Sequence, residues 1–388
     1  MPTSSGPNTA AESNIIFSYD TGDVTNSYRG EPTTNLYTTL GFSFYQAEGG
    51  HSATRTTGAA PGLNLPTNYD YHTITTTSSW ETESKRLIIW PNNSLSSSTT
   101  YYVSFWARVI SQPTAQIGSA FYGRGLENTL TLTSQWQRFS FSSLTHPSYR
   151  ALEVGSKDGA LIFQIAGLQI EAKSHVTPYV NGTRSETVGL VPLIGNSTID
   201  LSNISFNSAA QITFDGSDDY LTVSNPSNYV QGTSDFSLEF VFNKAASGGN
   251  NGMLLEARGA SLVGFFLYVN MSDSVTVLAL NHNSSQQWVS FGNFGAYAPN
   301  TNYHIVVTVR RGSYQASHFV NGNLVQVASI SHSNTITPGS SYRYNIGQDL
   351  GGAPYYGNIL LHKLYNTALS ADQVKQNYKQ YKSRFNLS

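Results

Sequence analysis

Three tryptophans and a handful of aspartates are the residues of this sequence best suited to recognition chemistry. Trp80 and Trp90 flank a polar stretch, and Trp288 follows Ser284-Ser285-Gln286-Gln287 in a loop-like setting. Sugar recognition lays an exposed aromatic ring on the apolar face of a sugar beside hydrogen-bonding groups. Trp80, Trp90 and Trp288 are therefore the candidate glycan-binding residues, with core packing or a subunit contact as the competing role, because Trp is well buried on average. Asp215, Asp218, Asp219 and Asp349 offer the oxygen ligands that calcium takes, and turn-forming Asp explains each of them equally well. Calcium is the one metal the residue types suit, and no other cofactor is expected.

Catalytic arrangements find less support. Asp20-Thr21-Gly22 has the form of an aspartic-protease half-site, but Asp-X-Gly is also ordinary turn chemistry. Gly123-Arg124-Gly125-Leu126-Glu127-Asn128 lacks the following helix a phosphate loop needs, so it reads as a turn. Glycoside hydrolysis needs two carboxylates across the scissile bond. The strand that would carry them has Glu239 alone, which the alternation places on the solvent side, opposite a row of Phe. Nine His show no paired-ligand spacing, and Gly-X-Ser-X-Gly is absent. The expectation is a protein without enzymatic activity.

The elements that must position these residues are strands. Val103, Phe105, Ala107 and Val109 alternate along one stretch, with Trp106 on the opposite face; Phe236, Leu238, Phe240 and Phe242 alternate along another, and Ile305, Val307 and Val309 along a third. Period-two patterning of this kind predicts strands with one side against a core. Short strands separated by Asn, Gly, Ser and Pro clusters recur down the chain, which points to sandwiches rather than βαβ units. One helix is predicted near 371–382, where Ser370 and Gln373 form a capping box and Leu369 can staple onto Val374. Val374, Tyr378 and Tyr381 share its apolar face, so it should dock on the last sandwich. The fold class is all-β: two antiparallel β-sandwich (jelly-roll) domains with one C-terminal helix.

Composition bounds the partners. Only 11% of the 388 residues are charged and the net charge is −2, with 24 Tyr, 19 Phe and no Cys. No Lys/Arg run exceeds two residues, so nucleic acid and anionic membranes are disfavoured. No window approaches the roughly 18 apolar residues of a membrane span. The first residues lack a signal-peptide pattern, and the absence of Cys suits assembly in a reducing cytoplasm. Few charges on a polar, aromatic-rich surface reduce the repulsion between copies, so a homo-oligomer is expected. Residues 1–13 read as a flexible or docking tail, 14–36 as a strand segment that pairs with the C-terminal sandwich, 37–185 as the first sandwich and 186–388 as the second.

The second half resembles the concanavalin A-like, laminin-G-like sandwiches. The resemblance rests on Phe214-Asp215-Gly216-Ser217-Asp218-Asp219-Tyr220, the strand Phe236–Phe242, Asn302 to Val309, Phe319-Val320-Asn321-Gly322, Ile346-Gly347, Tyr356-Gly357-Asn358-Ile359, and Leu364 to Ser370, in family order. The first half resembles a jelly-roll carbohydrate-binding module through Thr99 to Ala107, Ser134 to Phe139, Gly167 to Ala172 and Thr177-Pro178-Tyr179. The block from Gln169 through Glu171 and Thr177 to Arg184 is similar to one in tailed-phage virion appendage proteins. The resemblance implies a virion structural protein of tail-fibre, spike or capsid-surface type, assembled in the host cytoplasm and carried outside on the particle. Its expected partners are host surface glycans, other virion proteins and copies of itself. A cellular lectin-like adhesin and a polysaccharide-degrading enzyme are the alternatives.

Overall fold

The computed structural model describes residues 14–37, 44–46, 52–56, 58–65, 69, 71–77, 87–89, 95–121, 127–148, 150–245, 251–259, 263–270, 276–282, 285–292, 297–330, 336, 341–349 and 352–387. Residues 1–13, read above as a tail, lie outside that set. Every paired strand is antiparallel. The all-β expectation holds, and among the described residues Ala371–Lys382 is the single α-helix.

Two compact units divide the chain. Among the described residues, one comprises those up to Glu31, Ser185–Asn207 and those from Gln211 onward; the other comprises those of Pro32–Arg184 with Ser208–Ala210. The chain therefore begins one unit, builds the other, and returns. Residues 32–36, which the sequence groups with the opening segment, fall in the inserted unit: Thr33–Thr34 pairs with Thr183–Arg184, and Asn35 donates to the carbonyls of Leu168 and Val180.

The inserted unit stacks two five-stranded sheets. One runs in the order Gln137–Leu144, Thr100–Val109, Ala160–Glu171, Tyr71–Thr77, Ser52–Thr56; the other runs Phe44–Gln46, Leu87–Ile89, Leu152–Ser156, Thr114–Phe121, Asn128–Thr133. The alternating residues Val103, Phe105, Ala107 and Val109 meet Ile117, Phe121, Leu132, Leu152 and Val154 in one core. Trp106 takes the other face, beside Tyr69 and Tyr179.

The larger unit is a sandwich of eight and seven strands. The eight-stranded sheet runs Ser205–Phe206, Ile212–Asp215, Tyr356–Tyr365, Phe236–Lys244, Tyr303–Arg310, Gln315–Val320, Asn323–Ser329, with Ile15–Asp20 also paired to Tyr356–Tyr365. The seven-stranded sheet runs Ile199–Asp200, Leu221–Val223, Arg343–Ile346, Asn251–Arg258, Gly264–Asn270, Thr276–His282, Ser285–Phe291. Leu238, Phe240, Ile305 and Val307 of the first sheet meet Leu255, Phe265, Leu267 and Leu278 of the second.

The helix closes the outer face of the eight-stranded sheet. Gln373 N donates to Ser370 Oγ at 3.3 Å and Ser370 N to Gln373 Oε1 at 2.9 Å, so both halves of the capping box are made. Leu369 and Val374 bury together against Val306, Phe319 and Tyr365, while Tyr381 packs with Val241 and Leu361. The strand Phe236–Lys244 is thereby covered on both faces, and this decides the fate of Glu239.

Candidate functional site

Glu239 is fully buried, not solvent-facing as its place opposite the Phe row suggests. The alternation assigns it correctly to the far face of the strand, but the helix covers that face. Its Oε1 meets His304 Nε2 at 2.7 Å, and its Oε2 accepts from Tyr365 Oη and, at 3.2 Å, from Asn377 Nδ2 on the helix. Burial pushes the Glu239 carboxyl up, but the hydrogen bond and charge of His304, with Lys363 and Tyr365, outweigh it and hold the group below its usual range. An acid and an imidazole this close could exchange a proton, but both are sealed from solvent. The cluster fastens the helix to the sheet.

The accessible face is on the other sheet. Trp288 lies within the strand Ser285–Phe291, held in register by pairing with Thr276–His282, and not in a loop. Register places Glu256, Phe266, Ala279 and Trp288 side by side on four adjacent strands. Trp288 is 52% exposed. Its ring meets Phe266 edge-on at 5.1 Å and Tyr268 at 6.3 Å, while Phe266 and Tyr268 stack at 6.1 Å. The Arg258 guanidinium lies 4.5 Å over Phe266 and bridges Glu256 at 2.8 Å and Asp349 at 3.3 Å. The result is an aromatic ledge whose exposed part is the Trp288 ring with Tyr268 partly exposed beside it, while Phe266 and the charged margin of Arg258 and Glu256 are buried. An exposed ring held in this way is one on which a sugar ring can stack.

Asp349 therefore belongs to that margin. It pairs with Arg258 and accepts from Ala353 N at 2.9 Å. It is not part of the acidic group formed by Asp215, Asp218 and Asp219, whose carboxylate oxygens lie within 4.8 Å of one another. Within that group Asp219 Oδ2 accepts from Asp215 N at 2.7 Å and Asp215 Oδ1 from Ser217 N at 2.8 Å. Burial pushes the Asp219 carboxyl up, and the charges of Asp215 and Asp218 add to the rise. Three carboxylates suit calcium in kind, as three of the six to eight oxygens it takes, while the bonds they make here close a turn.

Trp80 and Trp90 lie outside the described residues. In the inserted unit the sequence reading passed over a second aromatic face. Trp106 and Trp136 are half-buried and each carries a guanidinium 4.7 Å over its ring, Arg138 on Trp106 and Arg108 on Trp136. Trp136 Nε1 donates to Pro61 O at 3.0 Å, and Leu63 and Leu65 pack nearby, so the unit's own chain occupies part of this face. Arg108 Nε reaches Gln164 Oε1 at 2.9 Å, and Gln164 Nε2 reaches Thr73 Oγ1 at 3.0 Å, a polar ladder across three strands. The signal for it was the strand pattern itself, which puts Trp106 and Arg108 on the face opposite the core.

The block from Gln169 to Arg184 proves to be a buried clasp. Glu171 Oε1 accepts from Thr33 Oγ1 at 2.8 Å and Thr177 Oγ1 at 2.6 Å, and Oε2 accepts from Thr177 N at 3.1 Å. Gln169 holds Thr177 O and Val180 N, and Arg184 Nη2 donates to Thr177 Oγ1 and Pro178 O. Asp20, in turn, closes its own turn on Gly22 N and ion-pairs with Arg384.

Residues 215–375 match the family model of the concanavalin A-like lectin/glucanases superfamily. The larger unit thus carries a concanavalin A-like, laminin-G-like sandwich. No curated protein sequence matches the chain. Solved structures similar to it include the carbohydrate-binding module of a Ruminococcus gnavus IT-sialidase bound to α2,3-sialyllactose, at 15% identity over 38% of this chain and 84% of that chain, TM-score 0.33. Two others are the binding domain of botulinum neurotoxin serotype G (16% identity, 51% and 50%, TM-score 0.42) and that of serotype D in complex with N-acetylneuraminic acid (14%, 51% and 49%, TM-score 0.39).

Proposed function

We propose that this chain works by binding and not by turnover, as a glycan-binding, adhesion-type structural protein whose sugar site is the Trp288 ledge. The observation that carries the reading is a Trp half in solvent, yet fixed from below by Phe266 and Tyr268. A ring already immobilised loses little freedom when a ligand arrives, so a shallow platform still gains net affinity. That affinity is modest, and repeating the site on an assembly converts it to avidity without new contacts. The non-catalytic part is supported by the burial of Glu239, the acid on the strand that a hydrolase would use. Any calcium bound would be held by Asp215, Asp218 and Asp219.

On this reading the chain is a virion component, a fibre, spike or capsid-surface protein that meets host glycans. Support comes from the low charge and from the Gln169 to Arg184 block. A lectin-like adhesin of a cell would use the same ledge. A glycan array probed with the full chain and with Trp288→Ala, run beside a reducing-sugar assay, tests the site. Binding that survives Trp288→Ala, or sugar released from a polysaccharide, overturns the reading. Co-sedimentation of the chain with purified particles separates virion from cell.

A further inference from the structure

We infer that the strand Asn323–Ser329 pairs edge to edge with the same strand of a second copy of this chain, joining two eight-stranded sheets about a two-fold axis. The proposal is independent of the glycan reading. Asn323–Ser329 ends its sheet: Gln315–Val320 is bonded along one side, and among the described residues no strand is paired with the other, although the end of Ser285–Phe291 approaches it where Gly292 N donates to Gln326 Oε1. A free strand edge is a row of unsatisfied N–H and C=O groups, and its natural complement is another strand.

The edge strands of this unit differ in how they are blunted, and Ile15–Asp20, which branches from the eight-stranded sheet, is bonded at Ser18 to Leu193 and Ile194. Ser205–Phe206 and Ile199–Asp200 end their sheets as two-residue strands, too short to template pairing. Ser285–Phe291 also has seven residues without charge or Pro, but Val289 and Phe291 are buried and Trp288 is its single exposed large hydrophobic residue. Asn323–Ser329 has seven residues with no charge and no Pro. Of the ten exposed large hydrophobic residues among those described, three are on it: Leu324 at 52%, Val325 at 37% and Val327 at 49%. Lys, Pro and short length are the usual guards of an edge, and none is present here. The one guard the strand carries is a bulge at Val325, since His318 pairs with Gln326 and Phe319 with Leu324; Gln326–Ser329 continues as a regular ladder.

A second copy fits better than a charged partner. Gln326 Oε1 accepts from Gly292 N and Ala328 packs on the core, so Val327, between them, points away from the sandwich. An antiparallel two-fold centred on Val327 sets the two Val327 side chains opposite each other and Val325 beside the partner's Ser329. The two Val327 side chains meet apolar to apolar, and no like charges approach. A two-fold contact of this kind is self-complementary and closes at two copies. The helix does not obstruct it: Tyr378 lies over Gly322, where an added Cβ would come within 2.9 Å of the ring, so the helix covers the turn at the Asn323 end.

Light scattering across a concentration series tests this on the full chain. The wild type is expected to pass from one chain to two as concentration rises. Val327→Lys should stay at one chain throughout, with an unchanged far-UV spectrum and melting temperature, because the side chain it replaces is exposed. Val327→Cys provides a check that does not depend on that variant: the chain has no cysteine, so mild oxidation should yield a disulfide-linked pair. Antiparallel neighbours sit within the Cα separation a disulfide spans, about 4.4–6.8 Å. A wild type that stays single at every soluble concentration, an assembly that survives Val327→Lys, or a Val327→Cys chain that does not cross-link while the wild type pairs, overturns the proposal. Trp288→Ala should leave the pairing intact, so failure of the sugar site and failure of this interface read out separately.

Discussion

Glu239 and His304 sit diagonally on neighbouring strands, Glu239 opposite Val306 and His304 opposite Val241, with Oε1 and Nε2 2.7 Å apart and neither side chain exposed. Removing the carboxylate leaves His304, Tyr365 and Asn377 short of an acceptor in a space water does not reach. Glu239→Ala is expected to destabilise the fold by about 3–5 kcal/mol, the usual penalty for breaking a buried polar pair from one side. Glu239→Gln keeps an acceptor oxygen and should lose only about 1–2 kcal/mol. Urea unfolding of both variants checks this. A Glu239→Ala penalty no larger than that of Glu239→Gln would show that the cluster does not hold the helix.

Acid should weaken the fold well before the surface carboxylates titrate. Burial pushes His318 down to about 3. Burial likewise brings His362 to about 3, with the Glu239 carbonyl and charge pulling weakly the other way. Between the ordinary value of 6.5 and about 3 the unfolded chain binds these two protons and the folded chain does not. Each histidine therefore removes about 1.4 kcal/mol of stability per pH unit in that window and nothing above it. Glu239, held below its usual range, adds a loss as pH falls past the unfolded value of 4.5. Melting temperatures from pH 7 to pH 4 should fall steadily, and His318→Phe, which keeps a ring beside Phe291, should shallow the slope. An unchanged slope in that variant counts against the assignment.

Side-chain alternation reports which face a residue occupies, not what lies on that face. Phe236, Leu238, Phe240 and Phe242 could be placed in the core from their spacing, and Ser370 with Gln373 announced the helix. Glu239 could not be placed, because Asn377, 138 residues later, supplies the cover. Asp349 could not be separated from Asp215, Asp218 and Asp219 for the same reason: Arg258, its partner, is 91 residues away. Trp288 read as a loop residue because Gln286 and Gln287 precede it. Its strand is fixed by pairing with Thr276–His282, and local composition does not reveal such pairing. The Gln169 to Arg184 block stood out as a pattern, but its chemistry needed Thr33, from the far end of the unit.

Within the ledge the structure separates a foundation from a contact surface. Phe266 is 2% exposed, with Arg258 above its ring and Met253 and Ala279 beside it. Phe266→Ala should lower stability by about 3–5 kcal/mol. Trp288→Ala removes a half-exposed ring and should shift stability by less than about 1 kcal/mol. Calorimetry on the two variants distinguishes these roles. If Trp288→Ala proves as destabilising as Phe266→Ala, the Trp is a packing residue and the glycan site is elsewhere.

The clasp around Thr177 predicts that the inserted unit folds alone. Its two chain crossings are brought together by the pairing of Thr33–Thr34 with Thr183–Arg184, the arrangement that lets one domain be spliced into another without strain at the junction. Thr33 and Thr177 both donate to Glu171, and Arg184 donates to Thr177, so one buried carboxylate draws on both ends of the unit. A fragment of residues 32–184 is therefore expected to unfold in a single cooperative step on its own. Thr177→Val keeps the shape of the side chain but takes one donor from Glu171 and one acceptor from Arg184. Since both partners are buried, the fragment should lose about 1–3 kcal/mol, the penalty for leaving such groups unsatisfied. Thr34→Val, on the exposed side of the same pairing, should change stability by less than about 0.5 kcal/mol. Chemical denaturation of the fragment and both variants decides the matter. A fragment without a cooperative transition, or equal losses in the two variants, would mean that the clasp is not what holds the ends of the unit together.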